Sequence, residues 1–146
     1  MTPIKIFLDA SVILAGLGSI KASSYALLTL GKQKKLLLIV SPIVVDEAKR
    51  HVDKIQKSPQ DIDDLIIWAN IKITDIPTKN QIVEFSTVVI DPNDWHLLAA
   101  CSQIKNITLV TLDRKHLISK RDKIDYPPIL SPAEFLGDFL NMSLSI

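Results

Sequence analysis

The residues in this chain whose types and spacing could do chemistry are four carboxylates, Asp9, Glu47, Asp94 and Asp113. Each has an ordinary explanation alone. Asp9 follows an apolar run and can cap a helix beginning near Ser11. Glu47 lies on a helix, where a glutamate is commonly solvated. Asp94 falls in the first turn of another helix, where attraction to the helix dipole favours it without further purpose. Asp113 can cap the short segment after it. Four acids at one place are harder to explain, because crowded like charges raise each other's pKa and repel. A hard divalent cation removes that cost, and oxygen-only ligands suit Mg²⁺ or Mn²⁺. The lone Cys101 and three scattered histidines do not build a zinc site.

Neighbouring residues sort around these four. Asp46 is expected to pair with Arg50 four residues on, as a solvated ion pair, whereas Glu47 sits at the edge of the apolar stripe. Asp91 reads as the cap of the helix that carries Asp94; whether it also assists as a ligand stays open. Ser11 and Thr111 are hydroxyls placed to orient the carboxylates. His96 and His116 read as surface residues, His116 having some prospect of touching phosphate. Arg114, Lys115, Lys120, Arg121 and Lys123 form a basic cluster beside Asp113, with Arg114 and Lys115 the candidates for phosphate contact.

The elements that must position these groups can be read from pattern. Ile4 to Leu8 is a near-continuous apolar run, as a strand buried on both faces would be, and it ends on Asp9. Lys21 to Leu30 reads as a helix closed by Gly31, and Leu36 to Val40 as a second strand. Ser41-Pro42 opens the helix bearing Glu47, with Val44, Ala48, Val52 and Ile55 inward. Ser58-Pro59, with Asp61 completing a capping box, opens the next, whose stripe is Ile62, Leu65, Ile66 and Ala69. Ile71 to Ile76 alternates like a strand near an edge. A short helix over Asn80 to Ser86 follows, and Val88 to Ile90 leads into Asp91.

Asp91-Pro92 then starts an almost wholly apolar helix that Asn106 breaks. Ile107 to Thr111 is a β-branched strand ending near Asp113. Arg114 to Lys123 reads as a short helix and loop, Tyr126-Pro127-Pro128 as a rigid turn, and Ile129-Leu130 as a last strand. Ser131 to Glu134 is a capping box for a final helix packed through Phe135, Leu136, Phe139 and Leu140. Strands alternate with helices, which predicts a three-layer α/β/α sandwich on a mainly parallel sheet, a single domain over 1–146. In such a sheet ligands bind at the carboxyl edge, where Asp9 and Asp113 fall.

Composition fits this reading. Hydrophobic residues make up 47% and charged residues 23%, as in a folded domain. The formal net charge is +1, so nucleic-acid binding must come from a local basic patch. A single cysteine excludes an intramolecular disulfide and suits the cytoplasm. The N-terminal apolar run is cut by Asp9 and lacks a signal-peptide layout. The longest apolar stretch, Leu36 to Val45, is interrupted by Ser41-Pro42 and is too short to span a bilayer.

These motifs resemble the PIN-domain ribonucleases, especially the small single-domain members that are toxins of toxin–antitoxin pairs. FLDASVILAGL is similar to the family's first strand and first acid, and GKQKKLLLIVSPIVVDEAKRHV to its second strand and second-acid helix. DPNDWHLLAAC resembles the third-acid motif, LVTLDRKHL the fourth, and ILSPAEFL the C-terminal strand and helix of one subgroup. Carried over by position, the family's acids fall on Asp9, Glu47, Asp94 and Asp113. One departure is Ala10, where the family usually has a small polar residue; Ser11 keeps the next position polar. The resemblance implies Mg²⁺- or Mn²⁺-dependent hydrolysis of RNA phosphodiesters in the cytoplasm, with an antitoxin partner and a homodimer as further expectations.

Three rivals stand beside it. One is a PIN-like module that grips RNA or protein without cutting, against which the intact acids argue. Another is an RNA-processing nuclease outside any toxin–antitoxin pair. A phosphotransfer receiver domain wants adjacent acids after the first strand and a lysine after the last; Asp9-Ala10 and Ile129-Leu130-Ser131 supply neither.

Overall fold

The apolar run Ile4–Leu8 forms strand β1, and Ile6, Phe7 and Leu8 are all 0% exposed. Successive strand residues point to opposite faces, so both faces of this strand are covered. The computed structural model describes residues 3–87 and 91–144; the lead-in Val88 to Ile90 lies outside them. The other strands are β2 (Leu36–Val40), β3 (Lys72–Ile73), β4 (Ile107–Val110) and β5 (Ile129–Leu130). They form one sheet in the order β3-β2-β1-β4-β5, and every pairing is parallel. β3 is shorter than its alternating sequence predicts: after Thr74 N–H donates to Val40 O at 2.8 Å, the chain leaves the sheet.

Helices α1 (Ala10–Gly18), α2 (Ser23–Lys32), α3 (Pro42–His51), α4 (Pro59–Trp68), α5 (Lys79–Val83), α6 (Pro92–Ser102) and α7 (Pro132–Leu144) complete the three-layer α/β/α arrangement. α1 packs on α2, α3 and α4, and α2 on α7, while α5 packs on α6. The starts follow the sequence signals. Ser41 Oγ accepts from Val44 N–H, Ser58 and Asp61 form a capping box, and Ser131 exchanges bonds with Glu134.

The stops follow less closely. Gly31 does not close α2 but lies inside it, buried where α2 crosses β2 and the end of α4. The left-handed residue beyond α2 is Lys34, with φ 60°, and Asn70 and Asn106 take the same conformation after α4 and α6. The α7 face also differs from expectation, since Leu140 is 57% exposed. Among the described residues, no single helix is long and apolar enough to cross a membrane.

Connectivity fixes where a site can form. From β1 the chain steps outward to β2 and β3, then crosses to β4 and β5 on the other flank of β1. The strand order therefore reverses between β1 and β4, and a crevice opens beyond their carboxyl ends. Asp9 directly follows β1, and Asp113 follows β4 by three residues.

Candidate metal centre

Asp9 is both a helix cap and the anchor of this crevice. Its Oδ1 accepts from Ala10 N–H at 2.7 Å at the start of α1. Its Oδ2 accepts from Thr111 Oγ1 at 2.7 Å and Ser11 Oγ at 3.3 Å. Each hydroxyl also accepts a hydrogen bond from the loop beyond β4: Leu112 N–H donates to Ser11 Oγ and Asp113 N–H to Thr111 Oγ1. Thr111 is fully buried and Asp9 nearly so. Burial pushes the Asp9 pKa up, against three hydrogen bonds that pull it down, and the Asp113 charge adds to the rise.

Asp94 is the third residue of α6 and lies on its buried side with Leu97, Leu98 and Cys101. Asp91 caps that helix, its Oδ1 accepting from Asn93 N–H at 3.0 Å. The Asp94 pKa is raised to about 7, by burial first and then by Asp113, Asp9 and Asp91, with His116 opposing. Its Oδ2 is buried and has no hydrogen-bond partner. Such an atom is costly unless something supplies a positive partner.

The other members close around it. Asp113 Oδ1 accepts from His116 N–H at 2.9 Å, and Oδ2 lies 3.3 Å from His116 Nδ1. Ligand atoms of Asp91, Asp94 and His116 all lie within 4.8 Å of one another. Glu47, half-buried on α3, has its pKa raised by burial, then by Asp9 and Asp91, with Arg50 opposing. Asp113 thus acts electrostatically on Asp9 and Asp94, and Asp9 on Glu47 and Asp94, across the crevice. Among the described residues, however, the potential ligand atoms that lie close together join Asp94 to Asp91 and His116 rather than to Asp9, Glu47 and Asp113.

Two histidines depart from the surface positions expected of them. His96 is buried, its Nε2 3.9 Å from Glu47 Oε2 and its Nδ1 without a partner. Burial, with the nearby Arg50 charge, lowers its pKa to about 4, so it is neutral near pH 7. His116 is half-buried within the acidic group. The signal that could have found it is its spacing, three residues after Asp113 in a turn that folds the ring back onto that carboxylate. Asp91 gave a comparable signal, since i and i+3 at a helix start share a turn.

The surface groups sort as follows. Asp46 makes no ion pair with Arg50 among the described residues; the nearby pair is Lys49 with Asp63 at 2.8 Å. Arg121 is spent on Glu134, reaching both carboxylate oxygens at 3.0 Å. Arg114 and Lys115, consecutive in sequence, line separate clefts on the surface.

The donor set fits a hard divalent cation: carboxylate oxygens dominate, one imidazole is available, and the buried Asp94 Oδ2 lacks any partner. Cys101 is buried and its thiol pKa is raised by that burial, so it is no thiolate ligand near pH 7.

The fold is similar to one chain in the crystal structure of VapBC2 from Rickettsia felis bound to a DNA fragment from their promoter. The TM-score is 0.61, the identity 21%, and the match covers 87% of this chain and 98% of that one. At that identity the likeness concerns the fold. No curated protein matches the sequence. The PIN domain profile matches residues 6–123, which run from within β1 to the turns after β4 and include Asp9, Glu47, Asp91, Asp94 and Asp113. On that match, the chain belongs to the PIN-domain family.

Proposed function

We propose that this protein is a metal-dependent ribonuclease that hydrolyses RNA phosphodiester bonds, with Asp9, Glu47, Asp94 and Asp113 as its catalytic and metal-holding acids. Asp91 and His116 join them on the side of Asp94. The observation that carries the reading is the buried, unpartnered Asp94 Oδ2 facing several other acids at the switch point of a parallel sheet. Family membership supports the class of chemistry.

The chain's own groups divide the work. Thr111 and Ser11 hold the Asp9 carboxylate in one orientation and tie it to the loop carrying Asp113. His116 holds the Asp113 carboxylate. Asp94 must release its proton before it can ligate, which its pKa of about 7 permits near neutrality. A bound Mg²⁺ or Mn²⁺ supplies Lewis-acid polarisation of a phosphoryl oxygen and of the attacking water. An attacking water forms the new P–O bond and gives up a proton to solvent as the ester P–O bond breaks and the leaving oxygen takes one up. No side-chain nucleophile is required.

The same proposal takes the protein to be the cytoplasmic toxin of a toxin–antitoxin pair. The likeness to a chain of the VapBC2 complex supports it, and a small antitoxin protein is the expected partner. A homodimer is part of the proposal. The test is cleavage of RNA by wild type and Asp9→Asn, with EDTA and then excess Mn²⁺. Wild type should cut, EDTA should stop it, Mn²⁺ should restore it, and Asp9→Asn should be inactive while folded by circular dichroism. EDTA-resistant cleavage, or wild-type rates in Asp9→Asn, would remove the four-acid mechanism.

A further inference from the structure

We propose a second site beside the acidic crevice, a cleft where the N-termini of α2 and α7 converge with Arg114, that takes a phosphate group of the RNA backbone next to the one being cut. The inference rests on the ribonuclease reading and names a part of its substrate contact. The cleft has a volume of about 170 Å³, with Ala15, Ser23, Ser24, Arg114 and Ala133 among its lining residues. That is below the roughly 300–1,000 Å³ of pockets for drug-sized ligands and suits a small anion.

Its donors are uncommitted. Ser23 and Ser24 are the first two residues of α2, and no helical carbonyl can reach their N–H groups. The capping position holds Ala22, which has no side-chain acceptor to offer. Ala133 is the second residue of α7, behind Pro132, which has no N–H. Both helix starts bring positive dipole ends to the cleft. Ser24 is only 2% exposed, lines the cleft, and its hydroxyl has no hydrogen-bond partner among the described residues. That hydroxyl is a second, separate pointer to a ligand.

The charges agree. Arg114 is exposed and forms no ion pair among the described residues, whereas Arg121 is neutralised by Glu134. Glu134 is the acid in the first turn of α7, and its carboxylate already accepts from Arg121 and from Ser131 N–H. Leu112 also lines the cleft, and its N–H donates to Ser11 Oγ, which donates to Asp9 Oδ2. Only Asp113 separates Leu112 from Arg114 in sequence. This chain of contacts, from Leu112 through Ser11 to Asp9, joins the cleft to the acidic crevice, and in the proposal one strand lays one phosphate over the acids and its neighbour in the cleft.

The first arm of the test is a titration with inorganic phosphate followed by amide NMR. The Ser23, Ser24 and Ala133 amides should shift saturably, and Arg114→Ala should abolish those shifts while the rest of the spectrum is retained. Shifts centred instead on Lys115, Ser119 and Lys120, or scattered over exposed lysines, would overturn the site. The second arm measures RNA binding to Asp9→Asn protein in Mg²⁺, which keeps the strand uncut. Replacing the neighbouring phosphate by a neutral methylphosphonate should weaken binding about 10–100-fold. In Asp9→Asn with Arg114→Ala, the same replacement should cost nothing further. Two losses that simply multiply would overturn the assignment to backbone phosphate. A wild type that cuts no RNA would sink the ribonuclease reading, while the phosphate titration still decides the cleft.

Discussion

The Thr111 hydroxyl donates to Asp9 Oδ2 at 2.7 Å and accepts from Asp113 N–H at 3.0 Å. One buried oxygen thus sets the orientation of one acid and the backbone position of another. Thr111→Val keeps shape and β-branching but removes both bonds, leaving Asp113 N–H and Asp9 Oδ2 each short of a partner. Because the Thr111 bond lowers the Asp9 pKa, its loss raises that pKa further. Metal ligation requires the ionised acid, so affinity should fall about 10–100-fold at neutral pH, as for other groups that orient metal ligands. Thr111→Ser should recover most of it. Calorimetric titration with Mn²⁺ reads both variants; equal affinity in Thr111→Val and wild type would show that the hydroxyl orients nothing that matters.

At the scale of elements, the two glycines Gly31 and Gly137 separate packing from propensity. A Cβ on Gly31 would press into Leu38 Cδ1 and lie 2.7 Å from Ala69 O, a backbone atom that cannot swing away. Around Gly137, on α7, nothing lies within 4 Å of an added Cβ. Gly31→Ala should therefore destabilise by about 1–3 kcal/mol through overpacking, despite its better helix propensity. Gly137→Ala should stabilise by about 0.5–1 kcal/mol. Urea denaturation of both variants checks the contrast, and a stabilised Gly31→Ala would refute the close approach of α2, β2 and α4. The pair also explains what was legible beforehand. Caps at Ser41, Ser58, Asp91 and Ser131 and the runs of β1, β2 and β4 are local signals, and they read correctly. Gly31 looked like a helix stop because its real constraint comes from Leu38 and Ala69, distant in sequence. Placement of Asp9 and Asp113 past strand ends was legible for the same local reason. The burial of His96 and the turn of His116 toward Asp94 depend on how α6 lies against its neighbours, which spacing alone does not specify.

Across the whole molecule, a net charge of only +1 conceals a local cluster: Asp9, Glu47, Asp91, Asp94 and Asp113 gather at one crevice, while Arg114, Lys115 and Lys120 line surface clefts close after Asp113 in sequence. Gathering those acids opposes folding. The Asp94 carboxyl has a folded pKa of about 7 against the ordinary value of 3.8, so the folded state holds its proton to higher pH than the unfolded chain does. Stability tied to this group is complete below the unfolded value and drains away as pH rises through about 7. Wild-type stability alone cannot isolate it, because neutral His96, with its pKa lowered to about 4, contributes the opposite slope below its ordinary range. A difference between two proteins can. Asp94→Asn removes the titrating group and leaves His96, Asp9 and Glu47 in place. In metal-free buffer the melting temperature of Asp94→Asn minus that of wild type should climb from pH 4 to pH 7 and level off near pH 8. Saturating Mn²⁺ at pH 8 should reverse the order, since metal at about 100 times its dissociation constant adds about 2.7 kcal/mol, or about 5–10 °C, to the protein that binds it. A pH-independent difference would mean that Asp94 titrates as an ordinary exposed carboxylate. A metal gain equal in both proteins would place the cation elsewhere.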